Sequence, residues 1–231
     1  MFLLALDRGA GASFLSPGAV SKAWMTMPDH PFYHAGNRRL QDEFESRPIS
    51  DRLESLKRAE FTTDDRAFIE SVIYFFIATA DAEGRPDCSF KGGPPGFVQV
   101  TGPGELAFPD YDGNGMFKSL GNLVLNPNVG LLFIGMHGRA RRLRVNGTAR
   151  ISRDDPLLPH TVGAQLIVRV TARDIFPNCP RYIPKLELAE ESIYAPRPGQ
   201  EPVEPGWKSF PEFIDLVHPR QPTFKGQPER E

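Results

Sequence analysis

Alternating hydrophobic and polar positions dominate the chain from about residue 73 onward, and this period of two is typical of β-strands. The segments that show it, or that form a short continuous apolar run, are 73–80, 87–90, 97–101, 105–108, 129–136, 141–152 and 165–176. Gly- and Pro-containing turns separate them, as at Gly102-Pro103-Gly104. Six or seven short strands with this punctuation predict a small antiparallel barrel or sandwich.

Three segments have helical spacing instead. Residues 38–58 predict two short helices that are broken at Pro48. Thr62 with Asp65 three positions later forms a capping-box pattern, which predicts the start of a further helix. Residues 115–125 predict one helix among the strands. The fold class is therefore mainly β with flanking helices.

These patterns divide the chain into three predicted regions. Residues 1–60 form an N-terminal arm with short helices. Residues 61–190 form the barrel domain. Residues 191–231 form a Pro-rich wrap over the surface and a tail, because this stretch has many prolines and no strand pattern.

Composition narrows the function classes. Twenty-seven Lys and Arg against 29 Asp and Glu give a net charge of -2, so nothing attracts nucleic acid or acidic membranes globally. Two cysteines are too few for a disulfide scaffold, and no apolar run reaches the ~20 residues of a membrane helix.

The N-terminal residues lack the basic start of a signal peptide, and their apolar run stops at Asp7. We therefore expect a cytoplasmic protein. Met25 or Met27 remains an alternative start to Met1, because residues 1–24 show no periodicity.

The segment DYDGNG at 110–115 is similar to the first half of a calcium loop, but the twelfth position is Gly121 where a Glu is required. A strand-to-helix turn capped by Asn114 explains the segment better. A helix N-terminus attracts phosphate, and Lys118 and Ser119 lie just inside this one.

The basic run at 139–144 is a candidate nucleic-acid contact. Strand alternation places Arg142 and Arg144 on one face and Arg141 on the other. Two arginines on a face fit a phosphate pocket or a surface ion pair better than a duplex groove. Cys179, between two prolines, is a candidate pocket residue, with a catalytic thiol as the minor alternative.

The ordered set CSFKGGPPGFVQV, LAFPDYDGNGMFKSLGNL, NPNVGLLF, RRLRVNGTARI and NCPRYIP resembles the pyridoxamine 5′-phosphate oxidase-related flavin proteins over residues 62–185. This resemblance implies the FMN-binding split barrel, a six-stranded antiparallel Greek-key barrel. It also implies a homodimer that binds FMN at the subunit interface.

The resemblance implies a set of cofactor-binding residues as well. The family's phosphate-binding pair matches Lys118 and Ser119, and a Gln that contacts the flavin ring matches Arg142. The remaining implied residues are Cys88, Ser89, Phe90 and Lys91 on the strand along the flavin, and Pro109, Asp110 and the nearby Asn114 at a second strand end.

The chain departs from the true oxidases at two places. The Arg that opens the flavin strand falls on Pro86, and residues 154–163 lack the Tyr and Arg that grip the vitamin B6 substrate. We therefore expect an FMN-dependent oxidoreductase that exchanges electrons with an unknown small substrate, with NAD(P)H as a candidate donor. A non-catalytic flavin-binding or sensing protein, or a split barrel using deazaflavin or haem, remains the alternative.

Overall fold

The computed structural model describes residues 31–135 and 140–216, and the chain divides into two units between Glu54 and Ser55. Predictions that concern residues 1–30, Met136, Arg139 or the tail from 217 onward lie outside the described residues.

The first unit contains two helices, α1 (Ala35–Glu43) and α2 (Arg47–Glu54). The predicted break at Pro48 is wrong, because Pro48 lies inside the first turn of α2. An N–H group there has no partner within the helix, so proline is tolerated. The chain instead breaks at Glu45, which has a left-handed φ of 52°.

The apolar side chains of these two helices are only partly buried. The apolar residues at helical spacing in the segment 38–58 are each at least half exposed: Leu40, Phe44, Ile49, Leu53 and Leu56. Polar contacts join the two helices, because Arg38 donates hydrogen bonds to Asp51 and Glu54. Over residues 31–54, the first unit is therefore held by ion pairs more than by buried apolar side chains.

The second unit is built on one antiparallel sheet. Its elements are α3 (Thr63–Ser71), β1 (Tyr74–Ala80), β2 (Pro86–Gly92), β3 (Gln99–Gly102), β4 (Glu105–Tyr111), α4 (Lys118–Leu125), β5 (Asn128–Gly135), β6 (Arg141–Ser152) and β7 (Ala164–Pro177). The strand order is β2-β1-β5-β6-β7-β4-β3. Each predicted strand segment overlaps one of these strands. The mainly β fold is confirmed, with seven strands where the resemblance implied six.

The sheet is rolled into a barrel. The rings of Phe75 on β1 and Phe108 on β4 have centroids 4.9 Å apart, although these strands are four positions apart in the sheet. In a flat sheet that separation would be about 19 Å, at ~4.8 Å per strand. Rolling also brings Lys91 of the edge strand β2 to 3.6 Å from Asp110 of β4.

The interior of the barrel is aromatic at its centre. Phe75 is fully buried and packs on Phe97, Phe108 and Phe133. Each such ring pair adds about 0.5–1.5 kcal/mol to the energy of burial. The helix α3 contributes Ile69 to this core, so it is fixed against the barrel by the same packing.

The strand β6 shows why the predicted alternation was correct. Leu143, Val145 and Ala149 are buried in the core, as their spacing predicted. A register shift between Asn146 and Gly147 leaves Arg173 of β7 without a partner residue in the pairing, which forms a bulge between the two strands. Gly147 is required there, because a Cβ would lie 2.0 Å from the carbonyl oxygen of Thr171.

The start of α3 confirms the predicted capping box. The Thr62 hydroxyl accepts from the Asp65 N–H, and the Asp65 carboxylate accepts from the Thr62 N–H. Asp65 is buried and also accepts from Arg58 and Arg141. Burial alone would raise its pKa, but the hydrogen bonds from Arg58 and Thr62 outweigh burial, and the pKa of Asp65 is lowered.

We expect Asp65→Asn to destabilise the protein by about 3 kcal/mol, because it leaves two arginines around a neutral group. A lowered pKa stabilises the fold above the unfolded pKa, so this difference should be full above about pH 5 and shrink as the pH falls through the lowered pKa. Urea unfolding at several pH values measures it.

The neighbouring Asp64 provides the matched control, because its side chain is 82% exposed. Asp64→Asn should cost no more than about 1 kcal/mol. Equal losses from the two substitutions would contradict the buried role of Asp65.

Candidate functional site

A cavity of about 510 Å³ opens where β2, β4 and the start of α4 meet. This volume lies within the range of small-molecule sites in proteins. The residues around it are Asp87, Cys88, Ser89, Lys91, Asp110, Tyr111, Asp112, Gly113, Asn114, Gly115, Met116, Phe117, Lys118, Ser119, Leu120 and Gln165. We call it the α4 cavity.

One wall of the α4 cavity is the inner face of β2. Asp87, Ser89 and Lys91 pair with Thr79, Ile77 and Phe75, whose side chains are buried inside the barrel. Cross-strand partners share a face, so these three polar side chains point inward as well. The barrel thus has a polar stripe at the end where the cavity opens.

The opposite wall contains a buried carboxyl group. Asp110 follows Leu106 and Phe108 along the core-facing side of β4 and is 8% exposed. Burial raises the pKa of Asp110, although Lys91 opposes the shift. Burial also raises the pKa of the adjacent Tyr111 to about 12, so its hydroxyl keeps its proton.

The turn before α4 differs from the prediction that Asn114 caps the helix. The Asn114 side chain accepts from the Met116 N–H instead, because it lies too early to reach the first turn. Phe117 is the N-cap, with a left-handed φ of 50° and no side-chain cap. Within the described residues, the first N–H groups of α4 therefore have no side-chain acceptor, and they lie beside the cavity.

The charges around the α4 cavity are mostly neutralised within the protein. Asp87 accepts from the Ser119 hydroxyl at 3.3 Å, and Asp112 accepts from the buried Lys208 at 2.9 Å. Lys118 is exposed and has no carboxylate partner among the residues that the structure describes. Lys118 is therefore the cation that remains to meet an anionic ligand at the helix start.

A second cavity of about 860 Å³ lies between α3, the start of β1, the start of β6 and the segment after β7. We call it the α3 cavity. Arg142 lies here, and it donates to the Cys179 carbonyl at 2.8 Å. The two cavities have no lining residue in common. Within a single chain, Arg142 therefore lies in a different cavity from the other predicted residues.

The structure brings together seven of the ten residues implied by the resemblance: Cys88, Ser89, Lys91, Asp110, Asn114, Lys118 and Ser119. Phe90 lies on the outer face of β2 and is 59% exposed, and Pro109 is buried on β4 outside the cavity lining.

Sequence reasoning missed several lining residues. Strand alternation could have found Asp87, because it shares a face with Ser89 and Lys91. No local signal could have found Gln165, which reaches the cavity only through the pairing of β7 with β4.

A family model for pyridoxamine 5′-phosphate oxidase matches residues 61–186, which is more than half of the 231-residue chain. The chain belongs to the pyridoxamine 5′-phosphate oxidase family. The part matched to the oxidase family contains the whole sheet, both helices of the second unit and every predicted site residue. Lys208 lies beyond it.

Several solved structures are similar to part of the chain. HupZ from Group A Streptococcus is 17% identical with a TM-score of 0.41, covering 51% of this chain and 93% of that one. HutZ, the heme storage protein from Vibrio cholerae, is 17% identical with a TM-score of 0.38, covering 51% and 94%. An FMN-binding protein from Syntrophomonas wolfei is 13% identical with a TM-score of 0.40, covering 62% and 96%.

At these identities and TM-scores, the similarities say nothing about what this oxidase-family chain binds. No curated protein matched the chain. In the described ranges, no helix is both long and apolar enough to cross a membrane.

The buried Asp110 carboxyl predicts a specific pH dependence. A raised pKa means that the folded chain holds this proton more tightly than the unfolded chain, so folded stability falls as the pH rises through the raised pKa. Relative to the unchanged chain, Asp110→Asn should gain stability as the pH rises above 3.8, the ordinary pKa of an aspartate. The gain should level off above the raised pKa of Asp110.

Thermal unfolding of both proteins without added ligand, at a series of pH values, measures this gain. A stability difference that stays constant across the acidic range would contradict the raised pKa of Asp110.

Proposed function

We propose that the chain is an FMN-binding oxidoreductase that acts as a homodimer and exchanges electrons with a small substrate. The observation that carries the proposal is the uncapped start of α4, with Lys118, at a cavity in a chain of the oxidase family. Both cysteines are free and exposed, which suits the reducing cytoplasm.

The start of α4 fits a phosphate group. Backbone N–H groups without side-chain acceptors and the positive end of the helix dipole favour an anion. Lys118 adds a charge-assisted donor. The Ser119 hydroxyl is already donated to Asp87, so Ser119 contributes its backbone N–H in the first turn of α4. The neighbouring carboxylates of Asp87 and Asp112 already have donors, so their repulsion of a phosphate is reduced.

The inner wall of the cavity fits the polar parts of the same cofactor. Ser89, Asp110 and Gln165 offer oxygen and amide groups to the hydroxyls of a ribityl chain. FMN, when bound, supplies the redox chemistry, and the protein sets its potential through nearby donors and charges. Lys91 would provide such a charge from the inner face of β2.

A homodimer explains why Arg142 lies in the other cavity. A single chain cannot bring residues of both cavities to one ligand if each cavity opens on its own side. We propose that the α3 cavity of the partner subunit faces the α4 cavity, so that the phosphate end meets Lys118 and the ring end meets Arg142 of the partner subunit.

The outer face of β1 and β2 supports this dimer. Tyr74 and Phe76 from β1 pack around Phe90 from β2, with Tyr74 and Phe90 stacked at 5.5 Å. Phe90 remains 59% exposed. Exposed aromatic clusters of this kind mark protein interfaces.

We expect Lys118→Ala to weaken FMN binding by about 1.5–3 kcal/mol, because it removes a hydrogen bond to a charged group. Titration of flavin fluorescence measures the affinity. Lys185→Ala is the matched control, since Lys185 is exposed and lines neither cavity. Unchanged affinity in Lys118→Ala would remove Lys118 from the site.

We expect Phe90→Asp to shift the protein from dimer to monomer, because it places a carboxylate in the aromatic cluster. Phe90→Leu keeps the position apolar and should keep the dimer. Analytical ultracentrifugation measures both. A dimer that survives Phe90→Asp would place the interface elsewhere.

The visible spectrum of the purified or reconstituted protein tests the cofactor. Flavin bands support the proposal, and a Soret band would favour the alternative haem protein. Stopped-flow mixing of the FMN-loaded protein with NADH or NADPH then tests catalysis. Bleaching of the flavin supports an oxidoreductase, and a flavin that neither nicotinamide reduces would favour a binding or sensing role.

A further inference from the structure

Two buried polar atoms have no hydrogen-bond partner in the described part of the chain, namely Nε of Arg142 and Oδ1 of Asn178. Both residues line the α3 cavity. They are also neighbours in space, because the Asn178 backbone N–H donates to the Arg142 carbonyl at 3.2 Å. Two neighbouring residues that line this cavity therefore hold an unused donor and an unused acceptor, and both atoms are covered in the free chain.

Unused buried polar groups are uncommon, since each costs about 1–3 kcal/mol relative to a bonded group. The other arginines that line the α3 cavity do have hydrogen-bond partners. Arg58 is bonded to Asp65, and Arg141 is paired with Asp64 at 2.9 Å. A ligand that bonded Arg142 and Asn178 would remove a cost that the free protein carries.

The rest of the α3 cavity indicates a flat ligand with an apolar body. Phe68, Tyr74 and Ile134 form part of its wall. Arg142 has a single hydrogen-bond partner here, the neutral Cys179 carbonyl, so its charge is not cancelled by a carboxylate in the described ranges. The cavity thus combines apolar surface, a cation, one free donor and one free acceptor. Its carboxylates already have arginine partners, namely Asp64 with Arg141, Asp65 with Arg58 and Glu191 with Arg197.

We propose that Asn178 and Arg142 together bind the pyrimidine edge of the flavin ring. That edge carries carbonyl oxygens on either side of the N3–H group, so it offers an acceptor next to a donor. The Asn178 side-chain oxygen accepts from N3–H, and Arg142 Nε donates to a flanking carbonyl. Both side chains turn toward the ring when it enters, because their polar atoms are covered in the free chain.

This assignment rests on the proposed FMN function and adds Asn178 as a residue that selects the ring. If Asn178 accepts from N3–H, a flavin that lacks this N–H group must bind more weakly. FMN and 3-methyl-FMN differ at that group alone. The unchanged chain should therefore bind FMN about tenfold more tightly than 3-methyl-FMN, the loss expected for one buried hydrogen bond.

Fluorescence titration of both flavins into three proteins tests the assignment. Asn178→Ala should bind the two flavins with nearly equal affinity, because the acceptor is gone. Asn178→Asp keeps an acceptor at the same position and should keep the preference for FMN. Asn128→Ala is the control, since Asn128 is exposed and lines neither cavity.

The outcomes separate this assignment from the function on which it rests. Equal affinity of the unchanged chain for both flavins, or a full preference for FMN in Asn178→Ala, would overturn the role of Asn178 and leave the FMN function standing. Failure of the unchanged chain to bind FMN would overturn the proposed function and the assignment together.

Discussion

The contact between Phe75 and Phe108 determines the shape of the barrel, because it joins strands that are four positions apart in the sheet. A sheet rolled far enough for these rings to touch also brings its edge strand β2 opposite β4. Lys91 and Asp110 then face one another, and the α4 cavity is the space that remains where the two strands meet α4. The rolling of the sheet therefore accounts both for the packing of the core and for the position of the candidate site.

Local patterns predicted most of this fold. Strand alternation located all seven strands, and the pair Thr62 and Asp65 located the start of α3, because each signal depends on residues close in sequence. The errors came from backbone torsions that composition does not reveal. Glu45 and Phe117 take left-handed φ values without being glycines, and they set the break before α2 and the start of α4.

The candidate site was predictable to the extent that it is local. The strand β2, the end of β4, the loop after it and the start of α4 supplied seven residues that lie around one cavity. The separation of Arg142 from them depends on how the whole sheet rolls. A cofactor that needed both cavities would bind with an affinity that depends on protein concentration. Ligand and subunit association would then be thermodynamically linked, each strengthening the other.

Lys208 lies 22 residues beyond the end of the part matched to the oxidase family, yet it is 8% exposed and bonded to Asp112 in the cavity wall. A version of the protein trimmed to the family boundary would retain every strand and lose this ammonium group. Asp112 would then lose its Lys208 partner, and any anion in the cavity would meet a more negative loop. The part of the chain that contains the sheet is thus shorter than the part that sets the charge of the cavity wall.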